Sequence, residues 1–136
     1  MTMLAVSVFG DTVDEVRQAI AAAVERGADL IELRLDLIPE IRDDEVRSLR
    51  AAAPPTLPFM LTIRSAAEGG HYAGGDDERV SRLIELGPSF DCIDVELALW
   101  RRSANIRQKL GLALRRAGHI SQEGGKEEIE QAAPRR

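Results

Sequence analysis

Apolar and polar positions alternate along the first 117 residues with two periods that take turns. Residues 3–9 are a short apolar run closed by Gly10 and Asp11. Val13, Val16, Ile20, Ala23 and Val24 then recur at the spacing of a helix with one buried stripe. Thr12, with Glu15 three residues on, has the form of a capping box, and Gly27 stops the helix. A second strand is predicted over 27–36, with Pro39 closing its loop. Asp43 and Asp44 open a helix through Val46, Leu49 and Arg50, which Ala53-Pro54-Pro55 ends. Residues 58–64 read as a third strand and residues 65–75 as a Gly-rich loop. A helix over 76–86 carries Val80, Leu83 and Ile84 and breaks at Gly87-Pro88. Residues 90–97 read as a fourth strand, and Ile106, Leu110 and Leu114 mark a helix reaching about Ala117.

Four strands alternating with four helices, at a repeat of roughly 25–32 residues, are the βα rhythm of a parallel α/β fold. A full (β/α)8 barrel takes at least ~200 residues, so 136 residues hold about half of one. The rhythm stops at Gly118. From there Gly, Glu, Gln, Arg and Pro dominate, and residues 118–136 read as a polar, disordered tail beside a domain at 1–117.

Charge sharpens the picture in the second strand. Glu32, Arg34 and Asp36 alternate with Ile31, Leu33 and Leu35. In a strand, i, i+2 and i+4 share a face, so a carboxylate, a guanidinium and a second carboxylate stand together. Parallel strands are normally buried on both faces and poor in charge, so such a row marks either a polar site or an ion-pair network closing the sheet. Function in parallel α/β folds collects at the C-terminal strand ends. The polar residues there are Ser7, the Glu32–Arg34–Asp36 row, Thr62 and Arg64, and Asp94 and Glu96. Two arginines among carboxylates suit a small anionic molecule, because Arg grips a carboxylate bidentately. Asp94 reads as orienting an arginine.

Composition removes several function classes. A net charge of −5, with Trp100 and Tyr72 the only Trp and Tyr, argues against nucleic-acid binding. No apolar run approaches the ~18–20 residues of a membrane span, and no basic stretch opens a signal peptide, so a cytoplasmic protein is expected. Cys92, the only cysteine, excludes an intrachain disulfide and a multi-cysteine metal site, and it reads as a small hydrophobe. The glycine pairs at 69–70 and 74–75 follow no nucleotide-binding spacing, so the loop reads as a mobile lid, with a phosphate cradle as the weaker reading. His71 and His119 read as bland, and Glu25-Arg26, Arg101-Arg102 and Arg115-Arg116 as solvated helix faces.

Three segments carry a family resemblance: residues 27–36, residues 61–70 with the run Arg64-Ser65-x-x-Glu68-Gly69-Gly70, and residues 91–97. In order and spacing they resemble type I 3-dehydroquinate dehydratase over about residues 3–117. The resemblance implies a (β/α)8 TIM-barrel lyase of the shikimate pathway and aromatic amino acid biosynthesis. Such an enzyme converts 3-dehydroquinate to 3-dehydroshikimate and water without metal or cofactor. A lysine forms a Schiff base with the ketone and a histidine moves the protons. By the same resemblance Ser7, Glu32, Arg34 and Arg64 bind substrate. Asp36 keeps an arginine oriented, Glu68 begins a loop near the site, and Asp94 and Glu96 support it.

The family's histidine and lysine lie on strands five and six, which have no counterpart in residues 1–117. The only lysines, Lys109 and Lys126, match neither position. The expectation is therefore a truncated barrel of about four βα units with an irregular C-terminal tail, the product of truncation or a frameshift. Two functions follow. One is a dehydratase that works with strands supplied by a second chain. The other is a non-catalytic half-barrel that keeps part of the substrate site. An unrelated phosphate-binding barrel fragment is a third, weaker option. Unpaired strands at both sheet edges predict a homodimer or other self-association and low single-chain stability.

Overall fold

The computed structural model describes residues 1–116. The expected tail at 118–136, with His119 and Lys126, lies outside the described residues. Nine elements follow in chain order: β1 (Ala5–Val8), α1 (Val13–Glu25), β2 (Leu30–Arg34), α2 (Asp43–Ala52), β3 (Phe59–Thr62), α3 (Asp76–Leu86), β4 (Cys92–Ile93), α4 (Leu97–Arg102) and α5 (Ala104–Arg116). The strands form one parallel sheet in the order β1-β2-β3-β4. The register sets Ser7 beside Glu32, Arg34 beside Thr62, and Met60 beside Cys92. Sequential order with parallel pairing requires a crossover after every strand, and α1, α2 and α3 supply the three crossovers.

The two faces of the sheet differ in chemistry. Val8, Ile31, Leu33, Phe59, Leu61, Ile63 and Ile93 are buried against Val16, Ile20, Val46, Leu49, Val80, Leu83 and Leu86 from the helices, forming the core. Phe59 is central: its ring stands 6.4 Å from that of Phe90, and the Arg50 guanidinium lies 4.6 Å above it. The opposite face carries Ser7, Glu32, Arg34, Thr62 and Arg64. Among the described residues β1 and β4 each pair on one side only. Met3, Leu4 and Phe9 beside β1, and Leu97 after β4, are exposed. No helix among the described residues is long and apolar enough to cross a membrane.

Every strand is shorter than its apolar run, and the departures are largest at the end of strand two, in strand four and in the last helix. Strand two ends at Arg34, and Asp36 falls in a 3-10 turn over Leu35–Leu37. The fourth strand is Cys92–Ile93 in place of 90–97: Asp94 still donates its amide to the Leu61 carbonyl, but Glu96 is already the residue capping α4. Both departures occur where a carboxylate turns toward an arginine, and those ion pairs outweigh continuation of a short ladder. The last helix is two, α4 and α5, with Ser103 Oγ accepting from the Ile106 amide at the start of the second. The Thr12 cap is also modified. Its hydroxyl accepts from the Glu15 amide, while the Glu15 carboxylate takes the amide of Asp11.

The Phe59→Ala variant tests this core. Truncation is expected to cost about 3–5 kcal/mol in urea unfolding, because it removes a fully buried ring between the sheet and α2. A loss below about 1 kcal/mol would mean that the core lies elsewhere.

Candidate functional site

The site is built from the strand ends on the polar face. Glu32 sits at the centre of β2, and its carboxylate is held from both sides. Ser7 Oγ of β1 donates to Oε1 at 2.7 Å, and Thr62 Oγ1 of β3 donates to Oε2 at 2.9 Å. Glu32 is 7% exposed, so the two hydroxyls replace much of the water the carboxylate gives up.

One turn further along, Arg34 and Asp36 form a two-pronged pair, with Nε donating to Oδ1 at 3.0 Å and Nη2 to Oδ2 at 2.8 Å. The 3-10 turn makes this possible by swinging Asp36 back toward the strand end. The same carboxylate accepts the Arg64 amide at 3.1 Å and the His71 amide at 3.2 Å. Asp36 thereby fastens three segments: the end of β2, the end of β3 and the loop after β3. Arg64 reaches the other way, its Nη2 donating to Asp94 Oδ2 at 2.9 Å. Its Nε is buried with no partner, and the Arg34 and Arg64 side chains keep 17% and 18% of their surface exposed. Two guanidiniums, each steadied by an aspartate and each still partly open, thus stand at neighbouring strand ends.

A second network lies behind the first. Glu96 accepts the Ser65 amide at 2.8 Å and the Ser65 hydroxyl at 3.0 Å, and it pairs with Arg79 Nη1 at 2.9 Å. Arg79 Nη1 also donates to the Ile63 carbonyl, and Nη2 to Asp76, which Arg102 contacts as well. Sequence reasoning missed Arg79. The signal was an arginine on the apolar stripe of α3, beside Val80, Leu83 and Leu86.

The Gly-rich loop is a tied turn. The Gly70 amide donates to the Ser65 carbonyl at 2.8 Å, Tyr72 to the Arg64 carbonyl at 3.2 Å, and Ala66 to the Tyr72 carbonyl at 3.1 Å. Gly69 sits at φ +82°. A Cβ on Gly70 would lie 2.2 Å from the Arg64 carbonyl oxygen. The Gly69-Gly70 pair therefore serves backbone closure over Arg64. Glu68 is exposed in the 3-10 turn Ala66–Glu68, outside the arginine cluster.

Electrostatics follows the contacts. Burial works against an ionised Asp36, but the Arg34 guanidinium and the Arg64 and His71 amides outweigh it and hold the carboxyl below its usual range. The hydrogen bond to Asp36 in turn raises Arg34. The Arg102 and Arg79 guanidiniums hold Asp76 low. Burial pushes the Cys92 thiol up, in keeping with a packing role. Among the described residues no group of His, Cys, Asp and Glu is arranged to hold a metal ion. Lys109, the one lysine among them, lies on α5 with Nζ 3.9 Å from Asp77.

Comparison with known proteins gives a consistent result. The family described as type I 3-dehydroquinase matches residues 4–115. The 3-dehydroquinate dehydratase of Methanothermobacter thermautotrophicus is 34% identical over 97 residues, covering 71% of this chain and 43% of that protein. That of Methanoregula boonei is 39% identical over 88 residues, covering 65% and 41%. Among solved structures, the 3-dehydroquinate dehydratase of Aquifex aeolicus superposes with a TM-score of 0.69 at 29% identity, over 86% of this chain and 49% of that one. The Geobacillus kaustophilus enzyme gives 0.70 at 25%, over 83% and 47%. This chain thus spans less than half the length of these relatives. The likeness assigns its four βα units to the TIM-barrel fold.

Asp36 predicts a pH dependence. With its pKa lowered in the folded state, its stabilisation is complete above the unfolded carboxylate pKa of about 3.9 and is lost as pH falls through the lower folded value. Urea stability measured from pH 7 downward is expected to decline below about pH 4, more steeply in the parent than in D36N. At pH 7 the variant is expected to lose about 1–3 kcal/mol, since three donor groups lose an ionised acceptor. Equal slopes for parent and variant would remove Asp36 from the explanation.

Proposed function

Since this chain belongs to the type I 3-dehydroquinase family, we propose that it carries the substrate-binding part of a 3-dehydroquinate dehydratase. The observation that carries the reading is the pairing of Arg34 with Asp36 and of Arg64 with Asp94, with Glu32 alongside, at the C-terminal ends of adjacent strands. 3-Dehydroquinate presents a carboxylate, a ketone and several hydroxyls. The open edges of Arg34 and Arg64 suit the anionic and hydroxyl groups. Glu32 accepts from substrate hydroxyls while Ser7 and Thr62 fix its orientation. Asp36 and Asp94 prevent the guanidiniums from turning away, so less freedom is lost when substrate arrives. Glu96 acts through Ser65, and Glu68 extends the loop beside the site.

The reaction is loss of water across a carbon–carbon bond next to a ketone. In the scheme implied by the family, a lysine amine condenses with the ketone and releases water. The resulting iminium accepts the electron pair freed when the α-proton is removed. The hydroxyl then departs as water with a proton from a histidine, and hydrolysis of the imine returns the lysine. Lys109 lies on α5 with Asp77 3.9 Å away, so this reading assigns the lysine and histidine steps to the strands that a second chain supplies. The reading needs no cofactor or metal, and it places the protein in the shikimate pathway of the cytoplasm. It includes association of two copies through the edges of β1 and β4, supported by exposed Met3, Leu4, Phe9 and Leu97.

Binding and chemistry separate experimentally. Titration of the purified chain with 3-dehydroquinate is expected to give saturable binding, weakened about tenfold or more in R34Q and in R64Q. Affinity unchanged in both folded variants would overturn the assignment. Borohydride reduction of the mixture, read by intact mass, is expected to leave no adduct. An adduct mapped to Lys109 or Lys126 would give this chain the amine chemistry itself. Light scattering is expected to report a mass above the 14.9 kDa of one chain, and a monodisperse monomer would remove the edge-pairing part of the reading.

A further inference from the structure

We propose that Arg79 is a positioning residue for this site, acting through Glu96 and Ser65 on Arg64 and the turn that follows it; the inference rests on the function proposed above. The hydrogen bonds of Arg79 go to Glu96, the Ile63 carbonyl and Asp76. Arg79 projects from the core-facing stripe of α3 with its side chain 1% exposed. A helix packing on a sheet needs volume there, which leucine or methionine supplies without the cost of desolvating a guanidinium. The cation is accounted for by what it holds.

Its Nη1 donates to Glu96 Oε1 at 2.9 Å and to the Ile63 carbonyl at 3.2 Å, and its Nη2 donates to Asp76 Oδ1 at 3.0 Å. One planar group therefore joins the start of α3, the end of β3 and the chain after β4. Both Glu96 oxygens pass the constraint on, Oε1 to the Ser65 amide and Oε2 to the Ser65 hydroxyl. Ser65 is bonded to Arg64 and accepts the Gly70 amide, and the Arg64 carbonyl accepts Tyr72. Arg64 is thereby held at its own amide by Asp36, at its guanidinium by Asp94, and through the next residue by the Arg79–Glu96 pair. Without Arg79, Glu96 loses the cation it pairs with, and the Ser65 anchor loses its orientation.

The test separates positioning from mere neutralisation of a buried carboxylate. In R79M/E96Q both charges are removed together and the volume is kept, so stability near that of the parent is expected. Amide exchange at Gly70 and Tyr72 is nevertheless expected to accelerate about tenfold or more relative to Leu33 and Leu61 in the sheet. The dissociation constant for 3-dehydroquinate is expected to rise about tenfold with it. R79K keeps the charge but not the planar fork. It is expected to move both readouts in the same direction, and it decides the matter if the double variant does not fold. Parent-like exchange and affinity in the folded variants would overturn the proposal and reduce Arg79 to a counter-charge. Absence of 3-dehydroquinate binding by the parent would overturn the proposed function instead, and exchange at Gly70 and Tyr72 alone would then decide whether Arg79 orders the turn.

Discussion

Ionised groups removed from water must be matched by partners, and the polar face of this sheet is organised by that requirement. Glu32 is taken up by hydroxyls from the strands on either side. Asp36 gathers a guanidinium and two amides, Asp94 takes Arg64, and Glu96 takes Arg79 and Ser65. Each match joins two or more segments distant in sequence. The strand ends are held in register by side chains beyond the point where backbone pairing stops. Removing one member leaves its partner without the group that offsets desolvation, so single charge deletions here are expected to be costly.

The same requirement shapes the loops. β2 gives way to a 3-10 turn at Leu35 because Asp36 then faces Arg34, and β4 stops at Ile93 because Asp94 and Glu96 turn toward the end of β3. The turn after Arg64 constrains its two glycines differently: a Cβ on Gly70 would meet the Arg64 carbonyl, while Gly69 has open space but carries a positive φ. A Gly-Gly pair in such a place is a backbone device that sets where the arginine before it sits. Its chemistry is indirect.

These features divide the labour within the fold. The apolar face, with Phe59 between α2 and the sheet, supplies cohesion. The polar face supplies an array of donors and acceptors that suits a hydroxylated carboxylate. Membership of the type I 3-dehydroquinase family is the ground on which that array is proposed as a substrate site. This chain spans 43% of the length of the Methanothermobacter protein.

The βα rhythm, the parallel class and the alternation of Glu32, Arg34 and Asp36 were legible in the sequence, because strand and helix periods and Gly/Pro breaks are local properties. So was the choice of Ser7, Arg64, Asp94 and Glu96 as strand-end polar residues, since their positions follow from where each apolar run ends. What tertiary structure alone decided is which charge meets which. The pairing of Arg64 with Asp94 spans 30 residues, and that of Arg79 with Glu96 spans 17. No periodicity encodes such partners. Arg79 lies on a stripe that pattern alone assigns to apolar packing, and Asp36 left its strand for a turn. In both cases the gain from pairing a desolvated charge outweighed the local preference, a comparison made only once sheet and helices are brought together.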